Sequence, residues 1–222
     1  MRRAALEPRT APLKLEAALV AEGCRAIAGI DEAGRGAWAG PVVAGAVCLP
    51  LELTDLTTQL TGLTDSKQLT PAERAGYASR IRAIATAWGI GEASAAEIDE
   101  IGILRATCCA MRRATEALRA AFPDCTADAY LLDHIHWRGA PIGRRWQTVV
   151  RGDSRSLSIA AASVLAKTHR DGLMVALDAE YPGYGFAAHK GYGTPAHQAA
   201  LTALGKTPIH RLSFAPLRPT LL

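Results

Sequence analysis

Residues 26–36 read Ala-Ile-Ala-Gly-Ile-Asp-Glu-Ala-Gly-Arg-Gly and place two adjacent acids, Asp31 and Glu32, at the end of a small apolar segment. Ionised carboxylates are costly in such a place unless a cation compensates them, and a divalent metal is the usual one. Gly34-Arg35-Gly36 follows, with a backbone that can turn sharply and approach a ligand closely beside a guanidinium. The combination suits a metal next to a sugar-phosphate. In isolation, each motif is more typical of a solvated strand end and a hairpin turn.

The composition is that of a globular chain with one sizeable core, because its 222 residues are 49% hydrophobic and 21% charged. We expect a flexible tail at 1–12 and one domain over 13–222, helical from about 181 onward. No apolar run reaches the ~18 residues of a membrane span, so we expect no membrane association. Five cysteines without a Cys-x-x-Cys pair favour a reducing cytoplasm. The net charge of +4 is weak evidence for a polyanionic partner.

Apolar runs alternate with amphipathic segments along the chain. The expected strands are residues 26–32, 42–49, 89–93, 127–132 and 146–150, of which the first two form a hairpin. Helices are expected at 13–22, after the capping-box spacings Thr70–Glu73 and Ser94–Glu97, over 154–180 and over 194–205. Tyr77, Ile81, Ile84 and Trp88 predict one buried helical face. This alternation predicts an α/β layer fold with a mixed sheet of about five strands, flanked by helices.

Four acids follow the ends of predicted strands, namely Asp31, Glu32, Asp133 and Asp153. If those strands are neighbours, the carboxylates converge and require hard cations with oxygen ligands, Mg²⁺ or Mn²⁺ rather than zinc. Two such ions about 4 Å apart stabilise the attacking and leaving oxygens of a phosphodiester displacement. We also expect Asp153 to lie at or near a helix N-cap, which would keep it ionised at neutral pH. The pattern indicates nuclease chemistry.

Other assignments compete with this one. Asp171 is an alternative fourth acid, but within a predicted helix and beside Arg170 it is more typical of a local ion pair. Zinc is conceivable from the histidines at 134, 136, 189 and 197, although no recognisable spacing supports it. Lys167 is equally consistent with a phosphate contact and with a residue that covers a helix face.

An ordered set of motifs resembles ribonuclease HII, the type 2 ribonuclease H family, over roughly Ala26 to Pro216. The motifs are Gly29–Gly36 with Ala39–Val43, Asp65–Lys67, Ala160–Ser163 with Ala166-Lys167 and Arg170-Asp171, Tyr181-Pro182, His189–Tyr192 and His210–Phe214. The resemblance implies a ribonuclease H-like fold and endonucleolytic cleavage of the RNA strand in RNA–DNA hybrids. It also implies nicking at single ribonucleotides in duplex DNA, with 3′-hydroxyl and 5′-phosphate ends. We expect a cytoplasmic monomer.

The same resemblance implies the roles of individual residues. Asp31, Glu32, Asp133 and Asp153 match the catalytic, metal-binding acids, which would hold two Mn²⁺ or Mg²⁺ ions with substrate bound. Gly34, Arg35 and Gly36 match the loop that reads the 2′-hydroxyl, the group that distinguishes RNA from DNA. Tyr192 matches the tyrosine that packs on the neighbouring sugar. Lys67 and Lys190 are candidate phosphate contacts.

Two residues depart from the family pattern. His134 stands where glycine is usual after Asp133, and we expect its side chain to point away from the metal site. Gly102 stands where asparagine is common, so any DNA contact of that side chain is absent or comes from Arg105.

Two other functions remain open from the sequence. One is a non-catalytic nucleic-acid-binding protein, against which the intact acidic quartet argues. The other is a ribonuclease H-like nuclease acting on DNA junctions, against which Gly34-Arg35-Gly36 and Tyr192 argue.

Overall fold

The computed structural model describes residues 10–134 and 145–218, which contain a five-stranded mixed sheet in the order β3-β2-β1-β4-β5. The strands are β1 Ile27–Ala33, β2 Val42–Cys48, β3 Ala87–Ala93, β4 Ala129–Asp133 and β5 Arg145–Val149. β2 is antiparallel to β1 and β3, whereas β4 is parallel to β1 and β5. The predicted α/β class, mixed sheet and opening hairpin are confirmed. Within the described ranges, no helix is both long and apolar enough to cross a bilayer.

Helices cover both faces of the sheet. They are α1 Lys14–Ala21, α2 Leu56–Gln59, α3 Pro71–Ile84, α4 Ala95–Ile101, α5 Ile103–Ala121, α6 Leu157–Glu180, α7 Phe186–His189 and α8 Pro195–Leu204. α5 packs on β2 and β3, while α6 packs on β1 and β2 and contacts α3. One core therefore lies between the sheet and α5, and another lies between the sheet, α3 and α6.

The helix starts follow the sequence signals, but one predicted boundary is wrong. Both capping boxes are present, with the Thr70 and Ser94 side chains accepting from the backbone N–H of Glu73 and Glu97. α3 ends at Ile84, however, and Trp88 lies in β3 opposite Val47 instead of on the helix. The helical spacing extended into the strand by coincidence, and pairing with β2 decided the backbone conformation of Trp88.

Small residues bring α6 almost into backbone contact with the sheet. A Cβ atom on Gly29 would lie 2.1 Å from the Ser158 carbonyl carbon, and one on Gly45 would lie 2.5 Å from the Ala162 oxygen. Any residue larger than glycine would collide with the backbone of α6 at these two positions. The close packing fixes α6 directly beneath the end of β1 that carries the first acids.

The start of α6 differs from the prediction. Its N-cap is Ser156, whose Oγ accepts from the Ile159 N–H at 3.1 Å, and Asp153 lies in a preceding 3₁₀ turn. Buried Glu16 of α1 also accepts from the Ser158 N–H at 3.0 Å. A carboxylate at a helix N-terminus is stabilising, and here α1 supplies it. Asp153 is therefore free to face the end of β4.

The chain ends extend only partly into the described ranges. Of the predicted tail at 1–12, the first nine residues lie outside them, whereas Ala11 is buried and donates from its N–H to the Leu63 carbonyl at 2.8 Å. The predicted helical C-terminal region contains α7, α8 and a 3₁₀ turn at Ala215–Leu217. Division of the chain into a tail and one domain stays a prediction.

Candidate active site

Three aspartates meet at one edge of the sheet. Asp31, Asp133 and Asp153 each offer a carboxylate oxygen, and these atoms all lie within 4.8 Å of one another. Asp31 is on β1, Asp133 ends β4, and Asp153 follows β5. Because β1, β4 and β5 are parallel neighbours, their carboxyl ends share one edge, as the sequence predicted.

The adjacent Glu32 is not part of this group of three. Consecutive strand residues point to opposite faces, so Asp31 faces α6 while Glu32 shares the face of Ile30, which packs in the α5 core. Glu32 Oε1 accepts from Arg35 Nη1 at 3.0 Å, whereas its buried Oε2 has no hydrogen-bond partner. Burial raises the pKa of Glu32, and Arg35 opposes that rise.

Hydrogen bonds orient the group of three. Asp31 Oδ1 accepts from the Glu32 N–H at 2.7 Å, and Asp133 Oδ1 accepts from the Gly152 N–H at 2.6 Å. The Ser163 hydroxyl of α6 bonds to Asp31, and Ser66 Oγ lies 2.9 Å from Ser163 Oγ. Sequence reasoning assigned these serines no site role, because only the packing of α6 under β1 brings them to the acid.

The carboxylates repel one another in a desolvated site. Burial raises the pKa of Asp31 well above its usual value, and Glu32 and Asp133 raise it further. Burial, then Asp65 and Asp133, raises the pKa of Asp153 to about 6. A position for Asp153 at the helix N-cap itself is therefore wrong, because Ser156 caps α6 and Asp153 lies in the preceding 3₁₀ turn among acidic neighbours. Such a group favours a bound cation.

Lys67 lies beside these acids. It is in the 3₁₀ turn Ser66–Gln68, whose preceding Asp65 accepts from the Lys67 N–H at 2.9 Å. Partial burial lowers the pKa of Lys67, but four surrounding carboxylates outweigh it and leave the pKa raised. These carboxylates belong to Asp65, Asp153, Asp31 and Asp133. The turn therefore presents an ammonium group at the acidic edge.

Two loops predicted to contact substrate are joined to each other. We call residues 34–41 the arginine loop and residues 190–194 the tyrosine loop. The N–H groups of Trp38 and Ala39 donate to the Gly191 carbonyl at 2.8 and 3.2 Å. Gly34 has a φ of +92°, a conformation that glycine adopts readily. The two loops form one hydrogen-bonded unit.

Buried arginines hold this unit from below. Arg170 of α6 is fully buried and donates to the carbonyls of Pro41, Lys190 and Ala39 at 2.9 to 3.0 Å. Arg211, also fully buried, donates to the carbonyls of Gly40 and Arg35 at 3.0 Å. Burial and the neighbouring Arg170 lower the pKa of Arg211 to about 9. Both arginines lie in motifs of the sequence, but their partners are distant backbone atoms that no local pattern reveals.

The tyrosine loop carries two predicted contact residues. Half-buried Tyr192 packs its ring against cations, with Arg170 Cζ 5.5 Å and Lys167 Nζ 5.8 Å from the ring centroid. The backbone of Lys190 adopts the left-handed conformation with a φ of 53°. Its ammonium group donates a hydrogen bond to the Ala187 carbonyl.

Of the competing assignments, Asp171 is not among the three grouped acids. Asp171 pairs with Lys167 Nζ at 2.7 Å and with Arg74 Nη2 at 3.4 Å, so its ion pair is local but does not involve Arg170. Among the described residues, the group that could hold a metal ion consists of Asp31, Asp133 and Asp153 and includes no histidine. His136 lies outside them.

Comparison with known proteins agrees with this geometry. Residues 28–217 match the family Ribonuclease HII. A ribonuclease HII of Roseiflexus castenholzii is 53% identical over 202 residues, covering 91% of this chain and 87% of the relative. The chain belongs to the ribonuclease HII family. Members of this family are hydrolases that cleave RNA in RNA–DNA hybrids, and the chain is accordingly a ribonuclease H.

Solved structures of the fold are more distant in sequence. Ribonuclease H2 from Pyrococcus horikoshii superposes with a TM-score of 0.73 at 24% identity, covering 87% of this chain and 96% of that one. Bst-RNase HIII in complex with Mn²⁺ has a TM-score of 0.67 at 18% identity, with coverage of 86% and 68%. These likenesses confirm the ribonuclease H-like fold.

The two departures from the ribonuclease HII pattern have structural correlates. His134 is exposed, and its N–H donates to the Val149 carbonyl at 3.1 Å. Gly102 joins α4 to α5 with φ 80° and ψ 152°. Essentially only glycine adopts this backbone conformation. Arg105 is exposed on α5.

Proposed function

We propose that the enzyme cleaves hybrids and also nicks duplex DNA on the 5′ side of single embedded ribonucleotides, leaving 3′-hydroxyl and 5′-phosphate ends. The observation that carries this proposal is that the arginine loop, which directly follows the strand β1 carrying Asp31, is hydrogen-bonded to the tyrosine loop. A site that reads one 2′-hydroxyl needs its reading loops held rigidly, and the buried Arg170 and Arg211 supply that rigidity.

Asp31, Glu32, Asp133 and Asp153 would hold divalent Mn²⁺ or Mg²⁺, two ions with substrate bound. Their oxygen-only donor set suits these hard cations. The raised pKa of Asp31 and the unpartnered Glu32 Oε2 both support a cation at this edge. When bound, the metal would activate water and neutralise charge that develops on the phosphate.

The remaining residues would orient the nucleic acid. The backbone of Gly34, Arg35 and Gly36 would read the 2′-hydroxyl, and the ring of Tyr192 would pack on the adjoining sugar. Lys67 and Lys190 would contact phosphates. The position of the Lys67 ammonium beside four carboxylates supports a contact close to the scissile bond.

We further propose that the protein acts as a cytoplasmic monomer without membrane association. The candidate site is built from one chain, and no disulfide joins the cysteines in the described residues. Cysteines outside disulfides are typical of reducing compartments.

A nicking assay tests the main proposal. A DNA duplex with one ribonucleotide, incubated with Mn²⁺ or Mg²⁺, should be cut on its 5′ side, while an all-DNA duplex stays intact. Asp31→Asn should abolish cleavage and retain hybrid binding, whereas Asp124→Asn, at an exposed turn, should behave as wild type. Equal cleavage of the all-DNA duplex would refute ribonucleotide specificity, and cleavage of a ribonucleotide-free four-way junction would favour the junction nuclease instead.

A further inference from the structure

Two buried histidines touch beneath the tyrosine loop. His197 lies on α8 and His210 in the C-terminal segment, with exposed fractions of 0% and 2%. Their Nε2 atoms are 3.1 Å apart. Two N–H groups cannot face each other at this distance, so one nitrogen carries a hydrogen and the other accepts it.

Neighbouring backbone groups determine which nitrogen carries the hydrogen. His210 Nδ1 lies 2.9 Å from the Thr207 amide nitrogen, which always bears its hydrogen, so Nδ1 must accept. Neutral His210 then carries its hydrogen on Nε2 and donates it to His197 Nε2. His197 in turn carries its hydrogen on Nδ1, 3.0 Å from the Tyr192 carbonyl oxygen. We call this chain, from Thr207 through both rings to Tyr192, the histidine relay.

The histidine relay accommodates no further proton without losing a hydrogen bond. A proton on His197 Nε2 would oppose the N–H of His210, and one on His210 Nδ1 would oppose the N–H of Thr207. Burial, then His189, lowers the pKa of His197. Burial, then His197, lowers the pKa of His210 to about 4, and Lys206 adds to that lowering.

The groups around the two rings also disfavour a cation. The His189 ring of α7 stacks on His197 at a centroid distance of 4.5 Å, and the Tyr184 ring lies 5.4 Å from that of His210. Arg211, next along the chain, directs its guanidinium to the Gly40 and Arg35 carbonyls. Aromatic and basic groups thus surround both rings, and the backbone hydrogen bonds from Tyr192, Gly191 and Thr207, which raise the pKa of the rings, do not offset the lowering.

We propose that His197 and His210 are positioning residues for Tyr192 and that they hold it only in their neutral forms. Fixing the Tyr192 carbonyl fixes the backbone between Gly191, which binds the arginine loop, and the start of α8. The Tyr192 ring is then held over Arg170. This inference rests on the proposed function only in assigning Tyr192 to the substrate.

Two amide variants of His197 separate positioning from general packing. In His197→Asn, the side-chain amide lies near the position of Nδ1 and can donate to the Tyr192 carbonyl in its place. In His197→Gln, the longer side chain carries the amide toward His210, so the hydrogen bond to Tyr192 is lost. We expect the Gln variant to nick single-ribonucleotide duplex with about tenfold lower kcat/KM, the cost of one hydrogen bond, and the Asn variant to retain most of the activity. The loss should appear mainly in KM. Equal activities at equal Tm would overturn the proposal.

A second measurement does not depend on activity. ¹⁵N NMR of the histidine rings at pH 7 should show neutral His210 protonated on Nε2 and neutral His197 protonated on Nδ1. The reverse tautomers, or an imidazolium at either position, would overturn the relay. If the wild-type enzyme leaves single-ribonucleotide duplex intact with metal present, the proposed function fails, and the NMR result still decides the relay.

Discussion

Gly34 packs directly on the side chain of Arg170. A Cβ atom on Gly34 would lie 2.0 Å from Nε and 2.5 Å from Cδ of Arg170. The missing side chain is what allows the Arg170 guanidinium to reach the Ala39 and Pro41 carbonyls. The first glycine of Gly34-Arg35-Gly36 therefore serves the packing of the arginine loop, in addition to any approach to a ligand.

Substituting the two glycines of this loop should separate packing from binding. Gly34→Ala should destabilise the fold by about 2 kcal/mol or more, because it combines a positive φ with a collision against Arg170. Gly36→Ala is the matched control, since a Cβ there meets nothing within 4 Å. Thermal unfolding measures both effects. A Gly34→Ala variant as stable as Gly36→Ala would contradict the packing seen here.

Replacing Arg170 by lysine should loosen the two loops. Lysine keeps the charge but cannot present the planar fork that binds three carbonyls, and buried carbonyls lose their donors. We expect a loss of about 2 to 4 kcal/mol in the free energy of unfolding, measured by denaturant titration. The exposed Arg112→Lys, which affects one surface ion pair, should change it by less than about 0.5 kcal/mol. Similar losses in both variants would argue against a structural fork at Arg170.

Metal should stabilise the wild-type protein but not an Asp31 variant. Without metal at pH 8, Asp31→Asn should raise Tm, because it removes a buried carboxylate that its neighbours repel. Saturating Mn²⁺ should raise the wild-type Tm by mass action, equivalent to about 3 kcal/mol at one hundred times Kd. The variant should show little of this increase. An equal metal response in both proteins would remove Asp31 from the cation site.

Asp153 should make the metal-free protein less stable as pH rises. Its folded pKa of about 6 exceeds the usual value of 3.8, so the folded state binds the proton more tightly than the unfolded state does. The stabilisation is complete below about pH 4 and is lost by pH 6 to 7, a change of about 3 kcal/mol. The difference in unfolding free energy between wild type and Asp153→Asn across this range isolates the effect. A pH-independent difference would show that Asp153 titrates normally.

The sequence predicted features that depend on local spacing. The two capping boxes, the opening hairpin and the strand ends that carry Asp31, Asp133 and Asp153 follow from residue order, and the structure places them as expected. Alternation along β1 also implied that Asp31 and Glu32 point to opposite faces. That signal was present in the sequence, although the four acids were predicted to converge together.

Tertiary structure alone decided the environment of these groups. Trp88 joined β3 because strand pairing outweighed helical spacing. Asp153 lies near Asp65 and Asp133, while Ser156 and the distant Glu16 bind the backbone at the start of α6. Arg170 found its three carbonyls across the fold. Local sequence determines backbone periodicity and the order of the motifs, whereas burial, pKa and long-range hydrogen bonds depend on which distant segments pack together.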